Sequence, residues 1–62
     1  LIDHIALNVK EIGSLWEMMK AKGFKMITDD IAYLPFWENG IRYFIVEGVN
    51  GEKVEFCEVL GE

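Results

Sequence analysis

A chain of 62 residues and 7.2 kDa holds one small domain. At that size folding buries only ~60 % of the surface the unfolded chain exposes, so stability leans on a disulfide, a metal or a partner chain. Cys57 is the single cysteine, which excludes an internal disulfide and leaves the other two. Eleven acidic against six basic side chains give a net charge of −5, which excludes nucleic acid and an anionic membrane surface as partners, and no apolar run approaches the ~20 residues of a membrane helix.

The chain opens on Leu1 in strand-like sequence, and a fragment of a longer protein is expected. A lone thiol, with neither a basic leader region nor a small-residue cleavage site, makes the cytoplasm the expected compartment. Leu1 to Asn8 alternates, with Ile5, Leu7 and Val9 on one side and His4, Ala6 and Asn8 on the other, the period of a half-buried strand. Asn8 is the expected N-cap of a helix, with Glu11 closing a capping box. Ile12, Leu15, Trp16 and Met19 then recur at the spacing of one helix face. Gly13 weakens that helix by ~1 kcal/mol relative to alanine, Lys20 and Lys22 suit its negative end, and Gly23 is a ready stop. The helix is predicted over about residues 9–22.

Phe24 to Thr28 reads as a second short strand, bent or ended by Thr28-Asp29-Asp30. Ile31 to Trp37 is ambiguous, because Pro35 cannot donate to a ladder and belongs at an edge or in a loop. After a turn at Asn39-Gly40, the β-branched and aromatic run Ile41 to Glu47 is a strand. Asn50-Gly51 is a strong hairpin signal, and Lys53 to Leu60 is the returning strand. The order is β-α-β-β-β, an α+β module of one helix on a four-stranded mixed sheet, without an internal repeat.

One helix covers one face of such a sheet. With Ile5, Leu7, Val9, Val54 and Phe56 turned to the helix, the other face carries His4, Ala6, Asn8, Glu55 and Cys57. The first and last strands run the same way in this topology. If they are neighbours, His4 and Glu55 at matching heights stand ~5 Å apart, an imidazole and a carboxylate suited to Zn, Ni, Fe or Mn. Two donors are too few for a tight site, and two copies of the pair would supply four. The plainer alternative is an ordinary hydrogen-bonded pair. Glu47 and Glu58 read as solvated charges and Cys57 as a small apolar filler. Phe36 and Trp37 either line a pocket mouth or pack over the sheet edge. Arg42 either meets an anionic substrate or pairs with one of the acids.

Three stretches taken together resemble one module of the vicinal oxygen chelate superfamily, the group of glyoxalases, methylmalonyl-CoA epimerases, extradiol dioxygenases and bleomycin-resistance proteins. They are Asp3-His4-Ile5-Ala6-Leu7-Asn8-Val9, Gly23-Phe24, and Gly48-Val49-Asn50-Gly51-Glu52-Lys53-Val54-Glu55-Phe56. Leu34-Pro35-Phe36-Trp37-Glu38-Asn39-Gly40 is similar to the run before the third strand of small glyoxalase-like proteins. Val49 departs from the proline usual at that turn. The resemblance implies a divalent metal held by His4 from the first strand and Glu55 from the last. It implies a second module, or a second copy of this one, that completes the cup, and it makes this chain look like the C-terminal half of its parent. It further implies a small-molecule substrate and a lyase or isomerase reaction in which Glu55 moves the proton on the carbon beside a carbonyl. A non-catalytic binding module of the bleomycin-resistance kind, leaning on Phe36, Trp37 and Tyr43, and an inactive fragment are the alternatives.

Overall fold

The computed structural model describes residues 4–61, and of His4 the backbone alone. The expected start of the first strand at Leu1 to Asp3 lies outside the described residues. The chain runs β1 (His4–Asn8), α1 (Ile12–Ala21), β2 (Lys25–Met26), β3 (Ala32–Leu34), β4 (Ile41–Glu47) and β5 (Lys53–Val59). One mixed sheet is ordered β1-β5-β4-β2, with β3 also on β4, and α1 lies on one of its faces. The α+β reading holds, with one strand more than expected.

The extra strand comes from a break in the strand after the helix. Both β2 and β3 run antiparallel to the outer edge of β4, Met26 opposite Val46 and Ala32 opposite Tyr43. Six steps along the edge strand therefore answer three along β4, and the surplus is extruded as a bulge at 27–31. Thr28 holds the bulge at its root: its Oγ1 accepts the Ile45 N–H at 3.3 Å, while its own N–H and that of Ile27 reach the Ile45 carbonyl.

Alternation along β4 and β5 sorts two faces. Phe44 and Val46 pair with Phe56 and Val54 on the helix side. There Ile12, Trp16, Met19, Phe44 and Val46 form the buried core, with Leu15, Val54 and Phe56 packed against it. The Trp16 ring meets Phe44 edge-on at 5.2 Å, and Phe44 lies 5.3 Å from Phe56. The apolar stripe of the helix is the one read from spacing. β1 departs from expectation. Ile5 and Leu7 belong to the helix-side set, yet they remain 50 % and 46 % exposed, because α1 packs over β4 and β5 and stops short of the edge strand.

Both helix ends are held, only one of them as local sequence suggests. At the C-terminus Gly23 is left-handed (φ 85°), and the N–H groups of Gly23 and Phe24 bond back to the Lys20 and Met19 carbonyls, the paired-bond stop that glycine favours. At the N-terminus Asn8 is no cap. It is still in β1 opposite Cys57, and the ladder continues through the Val9 N–H to the Cys57 carbonyl at 2.8 Å. The helix starts after Glu11, itself left-handed (φ 54°) and without a side-chain cap of its own. The missing acceptor comes from 46 and 47 residues away: the Glu58 carboxylate accepts the N–H of Ile12 at 3.0 Å and of Glu11 at 3.2 Å. Glu58 is thus a half-buried distant cap and not a solvated charge. α1 carries no acid in its first turn, so Glu58 also supplies the negative charge that the positive helix end favours.

These hydrogen bonds, that from Ile12 first, hold the Glu58 carboxyl below its ordinary value of 4.5, with Arg42 and Lys10 adding to the effect against partial desolvation. A depressed carboxyl stabilises the fold above the unfolded-state pKa and loses that contribution as pH falls through the folded value. Glu58→Ala is expected to cost about 1 kcal/mol at neutral pH, and the gap to wild type in urea melts should close as pH drops below 4.5. Gly13 has no atom within 4 Å of where a Cβ would stand, so Gly13→Ala should stabilise by ~0.4–1 kcal/mol in the same melts.

Candidate functional site

β1 and β5 are parallel neighbours, as the topology predicts. Their register puts His4 opposite Lys53, Ala6 opposite Glu55 and Asn8 opposite Cys57. Positions 4 and 55 therefore belong to the same alternate set on adjacent strands, the set that includes Ala6, Asn8 and Cys57. They are offset by one two-residue step, which separates their Cα atoms by ~8 Å, whereas matching heights would give ~5 Å. The offset has a cause at the other end of the strands. Pairing Leu7 with Phe56 and bonding Val9 to Cys57 brings the chain into α1 at the level of Glu58. A slip that set position 4 level with Glu55 would withdraw that cap.

The face away from the helix has a defined floor. Along β5 it shows Glu55, Cys57 and Val59; beside them on β4 stand Ile45, Tyr43 and Ile41, and beyond those Ala32 and Leu34 of β3. These eight positions are apolar apart from one carboxylate, one thiol and one phenol, and Glu47 and Lys53 follow at one end of the two rows. Burial, and then the charge of Glu55, push the Cys57 thiol above its ordinary value, so it stays protonated at neutral pH and is a poor thiolate ligand or nucleophile. The filler reading of Cys57 fits. Glu47, at the far end of the row, is half-buried with Lys25 at 3.5 Å; it too is more than a solvated charge. Arg42 pairs with Glu58 in the helix-side set, across the sheet from Glu55, which removes it from any substrate held on the open face.

Among the described residues no three His, Cys, Asp or Glu side chains gather as a metal cluster. The donor types at positions 4 and 55 suit a borderline divalent cation, but one chain brings two donors where such an ion takes four or more. The number fits only if another module adds its own.

Two features of the surface lie outside that pair. Among the described residues the outer edge of β1 carries no strand, and it is flanked by the exposed Ile5 and Leu7. At the end of β5 a cavity of about 400 Å³ opens between Val59, Leu60 and Gly61 and the turn residues Trp37, Glu38 and Asn39. Trp37 there is 72 % exposed, and Phe36, outside the lining, meets it edge-on at 6.1 Å. No local signal predicted the Glu58 cap, which comes from a distant strand, or the left-handed backbone of Trp37. Among the described residues no helix is long and apolar enough to cross a membrane.

No family model matches the chain. The uncharacterized protein YwbC of Bacillus subtilis (strain 168) is 38 % identical over 57 residues, covering 92 % of this chain and 43 % of YwbC. The crystal structure of TioX from Micromonospora sp. ML1 matches with a TM-score of 0.77 at 16 % identity, covering 98 % of this chain and 45 % of TioX. The chain thus spans less than half the length of either protein. The likeness to TioX shows the fold: one helix on a mixed sheet, in the order found here.

Proposed function

We propose that this chain is one module of a vicinal-oxygen-chelate protein, a glyoxalase-like, metal-dependent lyase or isomerase whose site is complete only when a second module meets it. The observation that carries the reading is the parallel pairing of β1 with β5, which sets positions 4 and 55 in one alternate set on neighbouring strands. The coverage of YwbC and TioX, under half of each, supports a second module or a second copy as the partner. The bare edge of β1 with Ile5 and Leu7 beside it is the place for it, since an unpaired edge invites another chain.

In this reading His4 and Glu55 are half of a donor set, and the partner's equivalents are the rest. A divalent cation bound there supplies polarisation of adjacent substrate oxygens. Glu55 accepts the proton from the carbon beside the substrate carbonyl and returns it to the neighbouring carbon. Ala6 opposite Glu55 leaves room above the carboxylate, and the floor of Ile45, Tyr43 and Cys57 keeps water from the apolar part of the substrate. Tyr43 offers a phenol for a substrate oxygen.

Thermal melts with Zn²⁺ or Ni²⁺ and with chelator test the reading. Metal at a hundredfold excess over its Kd is expected to stabilise by ~2.7 kcal/mol, with a parallel rise from monomer to dimer mass in light scattering. His4→Ala and Glu55→Ala should each abolish the gain while melting normally in chelator. Identical midpoints with metal and with chelator would end the proposal.

A further inference from the structure

We propose that the cavity between the C-terminus of α1 and the β4–β5 hairpin binds an aromatic carboxylate, with Lys22 taking its charge and Phe24 and Val49 covering its ring. About 300 Å³ opens there, between the chain from Lys22 to Lys25 on one side and from Glu47 to Val49 on the other. Three observations converge on it. The first is apolar surface. Phe24 is 47 % exposed and Val49 99 % exposed, and both follow glycines at turns, where a polar residue would serve the backbone equally well. A flat apolar body seated between them takes both out of water.

The second observation is charge. In a chain of net charge −5, this end gathers three of the six basic side chains: Lys22 and Lys25 in the lining, and Lys53 opposite Glu47 on the neighbouring strand. Glu47 is engaged by Lys25 at 3.5 Å. Glu52 is turned into the hairpin, where it accepts the Asn50 N–H at 2.8 Å. Lys22 is exposed, and no ion pair holds it among the described residues. The local surplus is positive in an acidic molecule, which draws an anion to this end. The negative end of the helix does not cancel it, because the N–H groups of Lys22, Gly23 and Phe24 already bond the Met18, Lys20 and Met19 carbonyls.

The third observation is that the walls are fixed before a ligand arrives. Those bonds hold one wall, and the hairpin holds the other, with the Gly48 N–H on the Glu52 carbonyl at 2.7 Å and the Gly51 N–H on the Gly48 carbonyl at 3.1 Å. Little ordering therefore opposes binding. The cavity stands at the β2 edge of the sheet, and position 4 on β1 is at the opposite edge, so this site does not depend on the metal reading.

The test is an NMR titration of the chain in chelator, which removes any metal from the result. At neutral pH, 2-naphthoate is compared with 2-naphthalenemethanol, an uncharged molecule of nearly the same shape. The amide signals of Phe24 and Val49 should move to saturation, while those of Ala6 and Asn39 stay in place. The acid should bind about tenfold more tightly than the alcohol. Lys22→Gln should erase that preference and leave the affinity for the alcohol unchanged. Val49→Ser, at a fully solvated position, should weaken both ligands about threefold while melting as the wild type does. Equal affinity for the two molecules, a preference that survives in Lys22→Gln, undiminished binding in Val49→Ser, or signals that move away from the cavity in place of Phe24 and Val49 would overturn the proposal.

Discussion

The parallel pairing of β1 with β5 is the constraint on which everything else in this chain depends. It joins the first strand to the last, whereas the β3–β4 and β4–β5 pairings are made between neighbours in the chain. It also sets a single register for three separate features. Ile5 and Leu7 align with Val54 and Phe56, position 4 comes within one step of Glu55, and the chain leaves β1 where Glu58 can receive it. A slip by one residue would exchange the two faces of β1. A slip by two would keep the faces but strand the helix N-terminus without its acceptor.

Glu55 and Glu58 show how alternation divides labour within one strand. They are three residues apart and so lie on opposite faces. Glu58, with Val54 and Phe56, works on the helix side as a structural carboxylate, kept ionised by two backbone N–H groups and by Arg42 and Lys10. Glu55, with Cys57 and Val59, belongs to the open face. The strand that carries the candidate chemistry therefore also anchors the helix behind it, which makes its register costly to change and its open-face positions rigid.

The helix covers one face of the sheet and leaves the other open. The chain measures 35 × 31 × 17 Å, a slab two layers thick, and its helix reaches only β4 and β5. The edge strand is left with bare backbone and half-exposed Ile5 and Leu7. The other face shows the apolar floor of Ile41, Ile45 and Val59. The chain spans less than half the length of YwbC and of TioX.

Periodicity alone determined the element types. The stripe of Ile12, Leu15, Trp16 and Met19, the alternation of β1 and β5, and the glycines at 23 and 51 are local signals, and they located the helix and the long strands, though not the helix start or the split of the strand after it. Local sequence also placed His4 and Glu55 in the same alternate set once the strand order was assumed. Tertiary structure decided the rest, because it turned on partners far away in the chain. Asn8 could not cap the helix while it was still bonded in the β1 ladder, so a carboxylate on the last strand took that role. The bulge at 27–31 arose from β4 holding both ends of one edge strand. The exposure of Ile5 and Leu7, and the two-residue offset between positions 4 and 55, followed from where the helix lands and which strand pairs with which, quantities that no window of neighbouring residues contains.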